Sequence, residues 1–254
     1  MTPVTPTPRT LYIHDDLFDE LRAAGESSPV WPLARALLRL FQEDQGRIVV
    51  LTLASQLEGV LAQGAHAPFA ATVGIGAAGV RVAAALHART GWFPAIHRVD
   101  VWREEDGRGG YVIAGPAPLA RQLHPLADEP SVAVVDDTVF SGQTMRTVLE
   151  ALPPGLRGRA HAFCLRAVGD SLPAIRQLAP VTAGFTAPGR ILEDVSFINA
   201  SGLVRRIAIR RAGQPPLAFF DRPEWMAAWF PGYAREVTAL CRELNAQLEP
   251  APRS

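Results

Sequence analysis

The stretch from Ser131 to Leu152 constrains this chain most, because its hydrophobic period changes within a few residues. Val132-Ala133-Val134-Val135 is a β-branched run that reads as a short buried strand, Asp136-Asp137 closes it, and from Gln143 to Leu152 apolar residues return at helical spacing. Ser141-Gly142-Gln143-Thr144 lies between, so strand, Gly-containing turn and helix start follow one another directly. Successive backbone N–H groups in such a turn converge on one point, and the helix start adds roughly half a positive charge. The Ser141 and Thr144 hydroxyls offer further donors. Asp136 and Asp137 are placed to accept hydrogen bonds from sugar hydroxyls or to hold a magnesium ion. An isolated Asp-Asp pair would be read as a helix cap with a solvated neighbour; the whole string instead spells an anion cradle.

Strands and helices alternate around this segment. Helical spacing spans Asp15 to Ala24 and Val30 to Gln45, so two helices are expected to open the fold. Strands follow at Arg47 to Leu53, Phe69 to Ile75, Ala95 to Val101 and Ala160 to Leu165, with helices at Ser55 to Gln63, Val80 to Thr90 and Ser171 to Leu178. Such alternation implies an α/β fold with a mainly parallel sheet flanked by helices and a ligand site at the carboxyl ends of its strands. Arg103 to Gly110 is charged and Gly-rich with no apolar anchor, and reads as a mobile loop. Beyond Pro188, Val195 to Ile198 and Val204 to Arg210 alternate around Asn199-Ala200-Ser201-Gly202, which suggests a hairpin. Pro223 to Leu248 is helical with a break at Pro231-Gly232, and its Trp225, Trp229, Phe230 and Tyr233 read as packing residues.

Composition narrows the function classes. Basic and acidic residues balance at 25 each, so net charge points to neither nucleic acid nor an anionic membrane. Every basic residue is arginine, which excludes lysine-based covalent catalysis and leaves guanidinium groups and amides as anion ligands. Two cysteines, Cys164 and Cys241, make no disulfide framework and no zinc spacing, as expected of a reducing cytoplasm. Met1 to Pro8 lacks the pattern of a signal peptide and no apolar run is long enough to span a bilayer, so a soluble, cytoplasmic chain is expected.

The string VAVVDDTVFSGQT, residues 132–144, closely resembles the phosphoribosyl diphosphate (PRPP) binding motif of type I phosphoribosyltransferases, which usually has Thr-Gly where this chain has Ser141-Gly142. The resemblance implies a tail over 1–8, N-terminal helices over 9–46, a phosphoribosyltransferase-like core over 47–187 and a C-terminal hood or helical lobe over 188–254. It implies that Asp136 and Asp137 bind the ribose hydroxyls and Mg2+, and that Thr138, Val139, Phe140, Ser141, Gly142, Gln143 and Thr144 hold the 5′-phosphate. Gly76-Ala77-Ala78-Gly79, between a strand and a helix, resembles the family's diphosphate loop. The segment from Arg103 falls where the family keeps a closing loop, which makes Arg103 a catalytic candidate and Arg108 a further diphosphate contact. The activity implied is transfer of 5-phosphoribose from PRPP to a nitrogenous base or related acceptor, with release of diphosphate; a homodimer is allowed for.

Departures from the pattern keep two alternatives in view. Many members carry a basic side chain where this chain has Ala77 or Ala78; Arg81, one turn on, is the substitute to test. That absence motivates a non-catalytic module binding PRPP or a nucleotide. Phe140 stands where the 6-oxopurine branch has an acid, which disfavours hypoxanthine and guanine; Phe185 and Phe197 are candidates to stack on a base. The same glycines satisfy Gly-x-Gly-x-x-Gly over Gly74, Gly76 and Gly79, with Asp100 at a spacing that suits an NAD-dependent oxidoreductase, a reading that leaves the Asp-Asp string unexplained.

Overall fold

A computed structural model describes residues 6–24, 28–106 and 110–249. Residues 1–5 of the expected tail, and Arg108, lie outside the described residues. Chain contacts group the protein into two units, one of residues 1–53, 105–109 and 190–254 and the other of residues 54–104 and 110–189. The N-terminal segment and the C-terminal stretch thus share a unit, whereas the sequence suggested separate segments flanking the core.

In the first unit, β1 (Thr10–His14) lies between β10 (Val195–Asn199) and β2 (Ile48–Leu51), and both pairings are parallel. The expectation that helices open the fold is corrected: Leu11 and Ile13, fully buried, alternate along a strand before α1 (Asp16–Ala24) and α2 (Trp31–Glu43) begin. The strand expected to start the core, β2, belongs to this small sheet. The hairpin expected around Asn199 to Gly202 is also corrected. Those residues enter α9 (Ala200–Val204), because the Asp16 carboxylate accepts hydrogen bonds from the Ser201 amide and hydroxyl while Ala200, Leu203 and Val204 are buried. The hairpin forms later, between β11 (Ile209–Arg211) and β12 (Gln214–Leu217), where Gly213 takes φ 65°. Helices α10 (Pro223–Trp229) and α11 (Ala234–Leu248) are separated at Pro231-Gly232, and the aromatic residues there do pack: Phe230 stacks on Phe41 at 5.7 Å and Trp225 meets Trp229 at 5.5 Å. Phe197, a base-stacking candidate, packs on Tyr12 at 5.2 Å.

Apart from the terminal residues Leu53 and Glu105, the second unit carries α3 (Leu53–Leu61), β3 (Ala71–Ile75), α4 (Gly76–Thr90), β4 (Ile96–Val99), β5 (Trp102–Glu105), β6 (Tyr111–Ala114), α5 (Leu119–Leu123), β7 (Val132–Val139), α6 (Gln143–Ala151), α7 (Pro154–Arg157), β8 (Ala160–Val168), α8 (Leu172–Arg176) and β9 (Val181–Ala187). Its parallel sheet runs β4-β3-β7-β8-β9, which is order 2-1-3-4-5 along the chain. Val132 and Val134 share a core with Met145, Val148 and Leu149 of α6 and Ile175 of α8, while α4 packs through Gly79 against the Val135 carbonyl on the other face. The protein is thus an α/β fold with mainly parallel sheets flanked by helices. Part of the expected mobile loop is ordered: Arg103 to Glu105 lies in β5, and the Arg103 guanidinium sits 5.5 Å above the ring of Tyr111 on neighbouring β6. No helix among the described residues is long and apolar enough to cross a membrane.

Candidate functional site

Strand order locates the site before any side chain is considered. Neighbours β3 and β7 send their following helices to opposite faces of the sheet, which opens a crevice at their carboxyl ends. Strand β7 runs through Asp136 and Asp137 to Val139, further than the apolar run suggested, and Phe140 to Gly142 then turn the chain into α6. Gly142 makes the turn with φ 73°, a conformation costly for a residue with a Cβ. The Ser171 hydroxyl donates to the Phe140 carbonyl and the Gln143 amide donates to Ser141 Oγ at 3.4 Å.

This turn borders an open cavity of about 30 Å3 lined by Arg103, Asp136, Met145 and the run from Thr138 to Thr144. At about 10–15 Å3 per water, such a space suits a small anionic group rather than a whole nucleoside. One lining group is already desolvated without compensation: Thr138 Oγ1 is buried and has no hydrogen-bond partner among the described residues. A larger open hollow of about 530 Å3 lies over Asp100, Val101, Ile113, Pro116, Leu119 and Gln122. It offers no cation, and Gln122 is committed to the Asp100 amide at 2.8 Å and to the Ala117 carbonyl at 2.9 Å.

The two adjacent acids have different surroundings. Asp136 lines the cavity, and its Oδ1 accepts from the Asp137 amide at 2.8 Å. Burial, followed by the neighbouring negative charge of Asp137, pushes the Asp136 carboxyl well above the usual range. Asp137 is half-buried and its Oδ2 pairs with Arg166 Nη2 at 2.9 Å. Arg166 is wholly buried and also donates through Nη1 to Gln56 Oε1 at 3.1 Å. Neither Arg166 nor Gln56 was picked out from the sequence. The available signal was a single arginine inside the apolar strand Ala160–Val168, since a guanidinium is rarely buried without an acid beside it. Burial, the largest cause, raises the Cys164 thiol pKa, so the cysteine beside this group is an unreactive packing residue.

Gly76, Ala77, Ala78 and Gly79 form the first turn of α4. A Cβ on Gly79 would come within 2.3 Å of the Val135 carbonyl oxygen, and one on Gly74 within 2.7 Å of Val80, so both glycines serve close helix–strand packing. Ala77 and Arg81 are exposed. The oxidoreductase reading loses its support here, because the sheet order 2-1-3-4-5 differs from the dinucleotide order 3-2-1-4-5-6 and Asp100 is taken by Arg98 at 2.7 Å.

The acids do not by themselves make a metal cage. Among the described residues no three His, Cys, Asp or Glu side chains gather as ligands, and Asp137 is already paired with Arg166. A magnesium ion brought in by phosphates needs only one or two protein carboxylates, and Asp136 is the one that lines the cavity.

The chain is similar to several solved structures. A purine phosphoribosyltransferase from Pyrococcus horikoshii OT3 matches with 18% identity and a TM-score of 0.34, covering 66% of this chain and 87% of the other. An orotate phosphoribosyltransferase from Aeropyrum pernix gives 22% identity, a TM-score of 0.34 and coverage of 52% and 70%. A xanthine-guanine-hypoxanthine phosphoribosyltransferase from Helicobacter pylori gives 18%, 0.37, and 57% and 86%. No protein-family model and no curated protein sequence matches the chain.

Proposed function

We propose that this protein is a phosphoribosyltransferase that moves 5-phosphoribose from PRPP to a nitrogenous base or related acceptor and releases diphosphate. The observation that carries the reading is the cavity at the end of β7, where the turn Phe140 to Thr144, the buried Thr138 hydroxyl, Asp136 and Arg103 border one space. Loop amides, the Ser141, Thr144 and Thr138 hydroxyls and the start of α6 would take the 5′-phosphate. Asp136, next to them on the same cavity, would accept from a ribose hydroxyl and counter the positive charge that develops on the sugar as the bond to diphosphate breaks. Arg103 supplies the matching cation for the departing diphosphate, with magnesium entering as part of that substrate.

The test is release of diphosphate on incubating the protein with PRPP, magnesium and a panel of bases. Release with at least one base, abolished in Asp136→Asn, is the expected result. Calorimetric binding of PRPP without release for any base would instead favour a regulatory module, a reading motivated by the exposed Ala77 where a basic side chain is usual. Neither binding nor release would end both readings.

A further inference from the structure

Arg166 is the largest fully buried side chain among the described residues. Taking a guanidinium and a carboxylate out of water costs several kcal/mol per ion, and an apolar pair of the same volume commonly does as well or better. The fold nevertheless invests closely packed backbone in keeping Arg166 in place. Its second partner, Gln56, is buried on α3, and α3 lies directly against β9: a Cβ on Gly59 would fall 2.0 Å from the Gly184 carbonyl oxygen, and one on Gly184 2.1 Å from that of Gln56. With no side chain between helix and strand, Gln56 reaches past β9 to β8.

The pair also sits where the strands change phase. Along β7 the residues of the α6-side core are Val132, Val134 and then Val139; along β8 they are Ala160, Ala162, Cys164 and then Ala167. Alternation therefore slips by one residue at the carboxyl end of both strands, although their register is unchanged from Val132↔Ala160 to Val139↔Ala167. The slip spans Asp136 to Thr138 on β7 and Leu165 to Arg166 on β8. Asp136 and Thr138 line the cavity, Thr138 is the register partner of Arg166, and Asp137 between them is the residue that Arg166 grips.

Resting on the phosphoribosyl reading above, we propose that Arg166 is a positioning residue: braced by Gln56, it clamps Asp137 and thereby fixes its two neighbours, Asp136 at the reacting sugar and Thr138 at the 5′-phosphate. Asp137 then works through the clamp rather than as an independent ligand. The clamp stands ready before substrate arrives, and an error of about 1 Å at such a point can lower turnover about 100-fold.

The experiment is a cycle of Arg166→Met, Asp137→Asn and the double variant, reading kcat and KM for PRPP well below each melting temperature, with binding of inorganic phosphate as a second measure. The expected result is a fall in kcat of roughly 100-fold in each single variant and the same fall, not its square, in the double. Phosphate binding should weaken by no more than about tenfold, the share of the Thr138 hydroxyl, because the loop amides are untouched. The double variant, free of a lone buried charge, should melt closer to wild type than Arg166→Met does. If Arg166→Met does not fold, the double variant and Gln56→Leu carry the test, the latter with an expected fall in kcat at unchanged KM. Losses that multiply, wild-type turnover in Arg166→Met or Gln56→Leu, or turnover that returns together with stability in the double variant would each overturn the proposal. A wild-type protein that neither binds PRPP nor releases diphosphate would fell the underlying reading and this one with it.

Discussion

Two Gly-containing segments lie side by side at the crevice between β3 and β7, and they do different work. Gly74 to Gly79, from the end of β3 into α4, serves packing at both its ends: Gly79 admits the Val135 carbonyl and Gly74 admits Val80, which seats α4 against the sheet. Phe140 to Thr144, after β7, is held from behind by Ser171 and faces open space, with a buried hydroxyl and a desolvated carboxyl beside it. A glycine pattern therefore says that backbone comes close to something; the polar groups around it say whether that something is protein or ligand.

Adding one methyl group to each segment gives the sharpest contrast. Gly79→Ala places a Cβ 2.3 Å from a backbone oxygen that cannot swing away, so a loss of about 3 kcal/mol of stability is expected in a denaturant melt. Gly142→Ala comes closest to the flexible Ile175 side chain at 3.3 Å and meets the Ser171 carbonyl at an ordinary 3.5 Å, so its main cost is the left-handed backbone, about 1–2 kcal/mol. Its larger consequence should be weaker phosphate binding by calorimetry. Equal stability losses in the two variants would erase the distinction drawn between the segments.

Much of the second segment was legible because its signals agree: β-branched run, acids, Gly turn and helical period all place the boundary within a few residues. Three features were not legible, for separate reasons. Strand β1 is five residues long next to a strong helical pattern, and pairing with Ile48–Leu51 and with Val195–Asn199, far along the chain, makes Thr10–His14 extended. Turn-forming residues from Asn199 to Gly202 became a helix because Asp16 anchors its start, a contact across 185 positions. Arg166 looked like one of 25 arginines until the fold placed Asp137 and Gln56 around it.

The two segments also predict opposite trade-offs between stability and function. Asp136→Asn keeps the acceptor for the Asp137 amide and removes a carboxylate whose pKa is raised by burial and then by Asp137. In the wild type the native state holds the proton more tightly than the unfolded chain, so stability is lost as pH rises from about 3.9 through the raised native value. The variant has no such loss. It should melt above wild type at pH 8, the gap closing as pH falls toward 4, while binding PRPP roughly 10- to 100-fold more weakly. A variant that melts below wild type at pH 8 would show that the charge of Asp136 supports the fold and that the cavity was not shaped at the fold's expense.

The smallest effect belongs to Thr138, and it isolates a single atom. Thr138→Val preserves shape and removes the buried, unpartnered Oγ1. Because no group among the described residues satisfies that oxygen, its removal should leave the melting temperature unchanged or slightly raised, where loss of a satisfied buried hydroxyl costs about 1 kcal/mol. If the hydroxyl is kept for a ligand, the cost appears only on binding, as an affinity for PRPP or inorganic phosphate lowered by about tenfold. The melt and the titration therefore have to disagree. A Thr138→Val protein that loses stability and keeps its affinity would move the oxygen from the ligand's account to the fold's, and the segment after β7 would then resemble the one after β3.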